Sequence, residues 1–185
     1  MLSFSLLQDE LDAAARFAAR PELAAALAAM RLDRPGLPPW GIACVAADKV
    51  FYEPDPDGKA AVVVGAFEQG ELVDLVATSL GTRAMRRRCG EARLLGADWI
   101  GRARDLDKPL SLFNDAFAWL AGDGCGAVIL DWRAAPRELA DLKGLLCQSE
   151  ALAHRVARAF AQPVPLPPLY VHRRDNHPEE SRHAR

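Results

Sequence analysis

The sequence predicts a mixed α+β / α/β fold: an N-terminal helical hairpin, an antiparallel strand meander, then a helix–strand–helix–strand–helix run that completes a mixed sheet. Three observations predict it. The first 33 residues are rich in Ala and carry apolar positions at helical spacing. Residues 40–89 break into short apolar runs separated by turn residues. Beyond residue 109, helical stretches alternate with short apolar runs such as Ala127-Val128-Ile129-Leu130, the pattern of parallel strands buried on both faces.

The elements follow in order. Ser5 and Gln8 read as a capping box for a helix over residues 5–19, with Leu7, Leu11, Ala14, Ala15 and Ala18 as its apolar face. Arg20-Pro21 breaks it, and Pro21 suits the first position of a second helix over 21–32. Arg34-Pro35-Gly36-Leu37-Pro38-Pro39 ends the helical region. Strands are expected over 42–46 and 50–53, then a turn at Asp55-Pro56-Asp57-Gly58. A hairpin over 60–68 and 71–79 turns at Gln69-Gly70. A further edge strand over 84–89 would put Arg86 and Arg88 on one face and Arg87 on the other. Residues 109–121 read as one helix, apolar on nearly every side and therefore central. A Gly-rich loop, an apolar strand over 127–130, a helix over 136–143, a strand over 145–147 and a helix over 149–161 complete the core. The expected organisation is a helical hairpin at 1–33, a single mixed α/β domain at 40–161, and a Pro-rich arm with a disordered polar tail at 162–185.

The chain has 185 residues, half of them hydrophobic and 26% charged, with a formal charge of −2. That suffices for one proper core. It excludes collagen, coiled-coil, disulfide-scaffold, bulk-basic and integral membrane classes. Nineteen of the 23 basic residues are Arg, which reads as a GC-rich bacterial coding sequence. Cys44, Cys89, Cys125 and Cys147 stand far apart without metal-ligand spacing, as free, mostly buried thiols in a reducing compartment would. Asp9, Glu10 and Asp12 precede the first Arg, the reverse of a secretory leader, so a cytoplasmic protein is expected, with no membrane partner.

Several patterns resemble functional motifs. Gly122-Asp123-Gly124-Cys125-Gly126 follows a helix and opens a strand, the reverse of a dinucleotide loop, and reads as a helix end with a tight turn. Glu53, Asp55, Asp57 and Gly58 echo a calcium loop, but Val64 stands where the bidentate Glu belongs. His154 sits one turn after Glu150, a pair without a third ligand. No Ser stands in a nucleophile-elbow context, which leaves His172, His177 and His183 as tail residues. Trp40, Trp99, Trp119 and Trp132 read as core, with a small-molecule pocket as the alternative.

Two patterns carry more. Seven arginines from Arg83 to Arg104 face only Glu91 and Asp98 in that window. Arg83, Arg86, Arg87, Arg88 and Arg93 are the candidate nucleic-acid contacts, since guanidinium groups on a strand can grip phosphates bidentately. The competing reading is a charged edge that prevents strand pairing. Asp131 ends the apolar strand, where open α/β sheets bind ligands, and Asp115 stands beside Asn114. Together they could hold magnesium; separately they read as a helix cap and an internal hydrogen bond.

Leu112-Phe113-Asn114-Asp115-Ala116 and Ala127-Val128-Ile129-Leu130-Asp131-Trp132-Arg133 carry a family resemblance. Over about residues 108–147 the chain resembles a degenerate toprim core of the plasmid and phage primase type. In that family a strand ends in Glu-Gly, a helix opens with an Asp-Ala pair, and the next strand ends in Asp-x-Asp. Here the first Glu is absent and Arg133 replaces the second Asp. The resemblance implies a relative that has lost catalytic metal binding, in a phage or plasmid setting. The expected function is a non-catalytic, cofactor-free domain binding a macromolecular partner: protein through the helical hairpin or nucleic acid through the Arg cluster. The alternative is a magnesium-dependent phosphoryl-transfer or nucleic-acid enzyme, with Asp115 and Asp131 as ligands.

Overall fold

Two sheets pack together through a common cluster, with a groove between them. The computed structural model describes residues 4–161. The expected arm and tail at 162–185 lie outside the described residues.

The first sheet holds β1 (Trp40–Ala47), β2 (Tyr52–Pro54), β3 (Lys59–Glu68), β4 (Glu71–Ser79) and β5 (Met85–Arg87). Their order is β2-β1-β3-β4-β5, with every neighbour antiparallel. The hairpin between β3 and β4 turns through Gln69 and Gly70 at φ 54° and 83°. Positive φ at both central residues matches the right-handed twist of the flanking strands. The expected turn at residues 55–58 is also present, with Gly58 N–H donating to Asp55 O at 2.9 Å.

The sheet curls until its edges touch. Phe51, just before β2, forms an isolated parallel bridge to Arg87 in β5. Arg87 N–H donates to Val50 O at 3.2 Å, and Arg86 Nε donates to Asp48 O at 2.6 Å. This closure covers backbone groups that an open edge would expose.

Helix α1 (Phe4–Ala18) crosses one face of this sheet. It buries Leu7, Leu11 and Ala14 with Val45, Ala61, Val63, Leu75 and Ala77. Ala15, expected on the apolar face, is exposed, and α1 already includes Ser5, so it begins ahead of the expected cap. A Cβ on Gly41 would lie 2.1 Å from the Ala14 carbonyl carbon, so the helix rests on β1 only because that residue is glycine. After a short 3-10 turn over Pro21–Leu23, α2 (Ala24–Ala29) brings Leu27 into the core on the other face. The hairpin's apolar residues thus pack within the chain. Arg34 extends this attachment by donating to the Leu120 and Ala121 carbonyls and pairing with Asp123 at 2.6 Å.

The second sheet is made of β6 (Leu94–Leu95), β7 (Leu110–Phe113), β8 (Ala127–Ile129) and β9 (Leu145–Cys147), in the order β6-β8-β7-β9. β7 pairs in parallel with both β8 and β9, and β6 is antiparallel to β8. Helices α3 (Asp98–Asp105), α4 (Ala116–Ala121), α5 (Ala135–Leu139) and α6 (Glu150–Ala161) surround it. Ala116, Phe117, Trp119 and Leu120 of α4 and Val128 of β8 join Val62, Val64 and Val76 of the first sheet in a common core. Leu110, Leu112 and Ile129 face a second cluster with Leu139, Leu152 and Val156. The α+β class is therefore the one expected, but the second half builds its own sheet.

The single helix expected over 109–121 is corrected. Residues 110–113 are a strand with Leu110 and Leu112 buried on one face. Asp115, extended at φ −154° and ψ 173°, then caps a helix of only six residues. A buried parallel strand followed by a buried helix is apolar throughout, which is why periodicity alone reads the two as one. The expected strand over 84–89 is shortened to three residues because the chain from Arg88 onward turns away beneath Asp74.

Candidate nucleic-acid interface

The two sheets meet along a groove of about 360 Å³. The β1–β2 turn supplies Lys49 and Val50, the β4–β5 connection and β5 supply Arg83, Arg86 and Arg87, and α6 supplies Arg155. Asn114 and Trp132 come from the loops beyond the carboxyl ends of β7 and β8. No carboxylate lines the groove. None of its five cations forms an ion pair among the described residues. Five like charges around one cleft, offset in part by Asp48 beside Arg86, make it more positive than the chain's net −2 suggests.

Closure of the first sheet creates this arrangement. The Arg86 and Arg87 contacts to the Asp48 and Val50 carbonyls hold the 48–51 turn against β5, and Lys49 comes with it. Asp48 lies beside Arg86 and offsets part of its charge without forming an ion pair with it. Its Oδ1 accepts the Val50 and Phe51 N–H groups, and these hydrogen bonds hold its carboxyl below the usual range. Partial burial lowers the pKa of Arg155, whose guanidinium lies 3.8 Å from the Trp132 ring centroid. A guanidinium remains charged under these conditions.

The five expected arginine contacts separate. Arg83, Arg86 and Arg87 line the groove. Arg88 does not: its Nε donates to Glu10 Oε2 at 3.0 Å, with both side chains largely buried. Glu10 Oε1 also accepts the Tyr52 hydroxyl at 2.9 Å, so helix α1 is pinned to β2 and to the end of β5. Arg93 pairs with Glu138 at 2.5 Å at a different site. Alternation of the β5 side chains holds, with Arg86 and Arg88 on the α1 side and Arg87 reaching the Gly90 and Ala92 carbonyls. Sequence reasoning missed Lys49 and Arg155; nothing in their local spacing marks them.

Asp74 was also unmarked, although a carboxylate in the middle of an apolar strand needs partners. It is fully buried. It accepts the N–H groups of Leu75, Arg88, Cys89, Gly90 and Ala92 at 2.8–3.2 Å. It therefore shapes the turn that carries Arg88 away from the groove. Burial, followed by the charge of Asp74, pushes the Cys89 thiol up to about 11.

Asp115 and Asp131 both lie past the carboxyl ends of neighbouring parallel strands. Asp115 Oδ1 accepts Ala118 N–H at 2.9 Å, and Asp131 Oδ1 accepts Arg133 N–H at 2.9 Å and Ala134 N–H at 3.3 Å. Each acts as a backbone cap. Among the described residues no three His, Cys, Asp or Glu side chains are grouped to hold a metal.

No protein-family model, curated protein or solved structure matches this chain. The remaining candidates fall into place locally. Gly122 ends α4, and Trp119 Nε1 donates to Gly126 O at 2.8 Å, so the Gly-rich segment is a turn on the core. His154 is exposed and is not paired to Glu150 among the described residues. The cysteines are free, but Cys125 is exposed and the other three are half-buried. No helix among the described residues is long and apolar enough to cross a membrane.

Proposed function

We propose that this protein is a non-catalytic nucleic-acid-binding domain that grips the phosphate backbone in the groove between its two sheets. The observation that carries this reading is five converging cations with no carboxylate among the lining residues. None of the five is in an ion pair among the described residues, and Lys49, Arg83 and Arg155 donate no side-chain hydrogen bond there, so their charge is available to an anion. Asp115 and Asp131 are caps, so magnesium-dependent phosphoryl transfer has weaker support. The β7–α4–β8 order, with β7 and β8 adjacent and parallel, supports the toprim resemblance as a shared layout.

Fluorescence anisotropy of labelled DNA at low salt, followed by a salt titration, tests the proposal. Binding should weaken steeply as salt rises, because phosphate contacts release condensed counterions. Lys49→Glu, on the exposed rim, should weaken binding without altering the fold. Absence of binding at low salt would refute the reading. Arg88 is left in place in variants of the groove, since it forms the buried pair with Glu10.

A further inference from the structure

The groove's arginines are held in two different ways. Arg86 donates to the Asp48 and Met85 carbonyls, and Arg87 Nη1 donates to the Gly90 and Ala92 carbonyls at 3.1 and 3.0 Å. These two are tied to the frame. Arg83 and Arg155 instead lie over aromatic rings. The Arg83 guanidinium carbon is 3.8 Å from the Phe117 ring centroid, and that of Arg155 is 3.8 Å from the Trp132 centroid. Neither guanidinium has a hydrogen-bond acceptor or a carboxylate among the described residues.

Stacking on a ring fixes a guanidinium while leaving its N–H donors available at its edges. Such a group is preorganised for bidentate contact with a phosphate and loses little freedom on binding. The two arginines also come from opposite walls. Arg83 belongs to the β4–β5 connection of the first sheet, and Arg155 to α6, which covers the second. A phosphate between them would be held from both sides.

The size and rim of the groove narrow the ligand. A recess of about 360 Å³ is at the lower end of small-molecule pockets, which suits one nucleotide and excludes a duplex from entering. Val50 lines the groove and is 47% exposed; Phe51, bridged to Arg87 just outside it, is 41% exposed and lines the adjoining recess with Tyr52 and Arg88. Exposed apolar and aromatic side chains next to a basic groove suit unstacked bases, whose flat faces a duplex keeps inside. We propose that the groove binds single-stranded nucleic acid, with Arg83 and Arg155 as the phosphate-gripping pair and Phe51, in the adjoining recess, as a stacking surface for a base outside the groove. This rests on the nucleic-acid reading above.

The test compares a labelled single-stranded 20-mer of thymidine with a duplex of equal length, using the full chain. The single strand should bind at least tenfold more tightly. Arg83→Ala and Arg155→Ala should each weaken binding about tenfold, as expected for loss of a charge-assisted contact. Each should also reduce the salt slope by about 0.7, the single-strand value per phosphate. Arg83→Lys and Arg155→Lys keep the charge but not the planar fork, so they should retain most of the slope and still bind more weakly. Phe51→Ala should weaken binding about fivefold or more at unchanged slope, as loss of stacking does.

Duplex binding equal to or tighter than single-strand binding would overturn this inference and leave the groove reading standing. Competition by thymidine monophosphate as effective as by the 20-mer would also overturn it, with a nucleotide as the ligand. Lysine variants indistinguishable from the parent would remove Arg83 and Arg155 as the gripping pair. No binding of either nucleic acid at low salt would refute both readings together.

Discussion

The two sheets are built on different principles, and the contrast separates polar side chains tied into the frame from those that line the groove. The first sheet has three strands of eight to ten residues, a two-residue hairpin turn and edges that meet. Its polar side chains are tied into it: Asp74 to five backbone N–H groups, and Arg88 and Tyr52 to Glu10. The second sheet has strands of two to four residues, and most of its stability must come from the helices packed around it. Its loops bring Asn114 and Trp132 to the groove, while the neighbouring Asp115 and Asp131 are not among the lining residues and cap backbone N–H groups. The difference teaches that net charge is a poor guide to a site. Arginines adjacent in sequence divide: Arg88 is in an ion pair with Glu10, whereas Arg86 and Arg87 line the cleft with no carboxylate partner among the described residues.

The largest expected effect is on the frame. Asp74→Ala removes the acceptor of five buried N–H groups and should cost about 4 kcal/mol, or roughly 10 °C in melting temperature. Thermal unfolding followed by circular dichroism measures it. A loss under about 1 kcal/mol would break the claim that the first sheet depends on this carboxylate.

A pH titration sharpens the comparison next. Burial, then the charge of Glu10, raises the Tyr52 pKa above its ordinary value of 10.0. The folded state therefore keeps the phenolic proton longer than the unfolded chain. Its contribution is complete below about pH 10 and is lost as the pH rises further. Cys89, pushed up from 9.0 to about 11, adds a loss that begins near pH 9. Stability should thus fall along an alkaline limb, read from denaturant midpoints. Tyr52→Phe should make that limb shallower while lowering stability at neutral pH by about 2 kcal/mol through the lost hydrogen bond. An unchanged limb in the variant would rule out the Tyr52–Glu10 contact as its source.

The smallest effects are expected in the second sheet. Asp115→Ala and Asp131→Ala each remove a cap and should cost about 1 kcal/mol, a few degrees of melting temperature. The shifts should be equal with and without magnesium. A magnesium-dependent rise in the parent that Asp131→Ala abolishes would restore the metal-binding alternative.

Much of the first region was legible. The β3–β4 hairpin, the turn at residues 55–58 and the apolar face of α1 follow from residue spacing, because each is decided by neighbours within a few positions. The second region was partly legible. β8 and β9 were expected, but β7 merged with α4, and β6 is too short to carry any period. Helix α3 was missed because only Ile100 and Ala103 are buried in it. For the groove, Arg83, Arg86 and Arg87 were legible as a basic run, but Arg88 and Arg93 belonged to other partnerships.

The sequence by itself determined the α+β class, the free thiols, and Asp131 as a candidate cap at the end of an apolar strand; that Asp115 is also a cap came from the structure. The first three depend on period, composition and local hydrogen bonding. Only the tertiary structure decided which charges share a surface. Lys49 reaches Arg86 and Arg87 because the first sheet curls edge to edge, and Arg155 reaches the same groove because α6 packs on the second sheet. Such proximity comes from long-range strand pairing and core packing. Local propensity acts over a few residues, whereas the field in a cleft adds charges that are distant in the chain and adjacent in space.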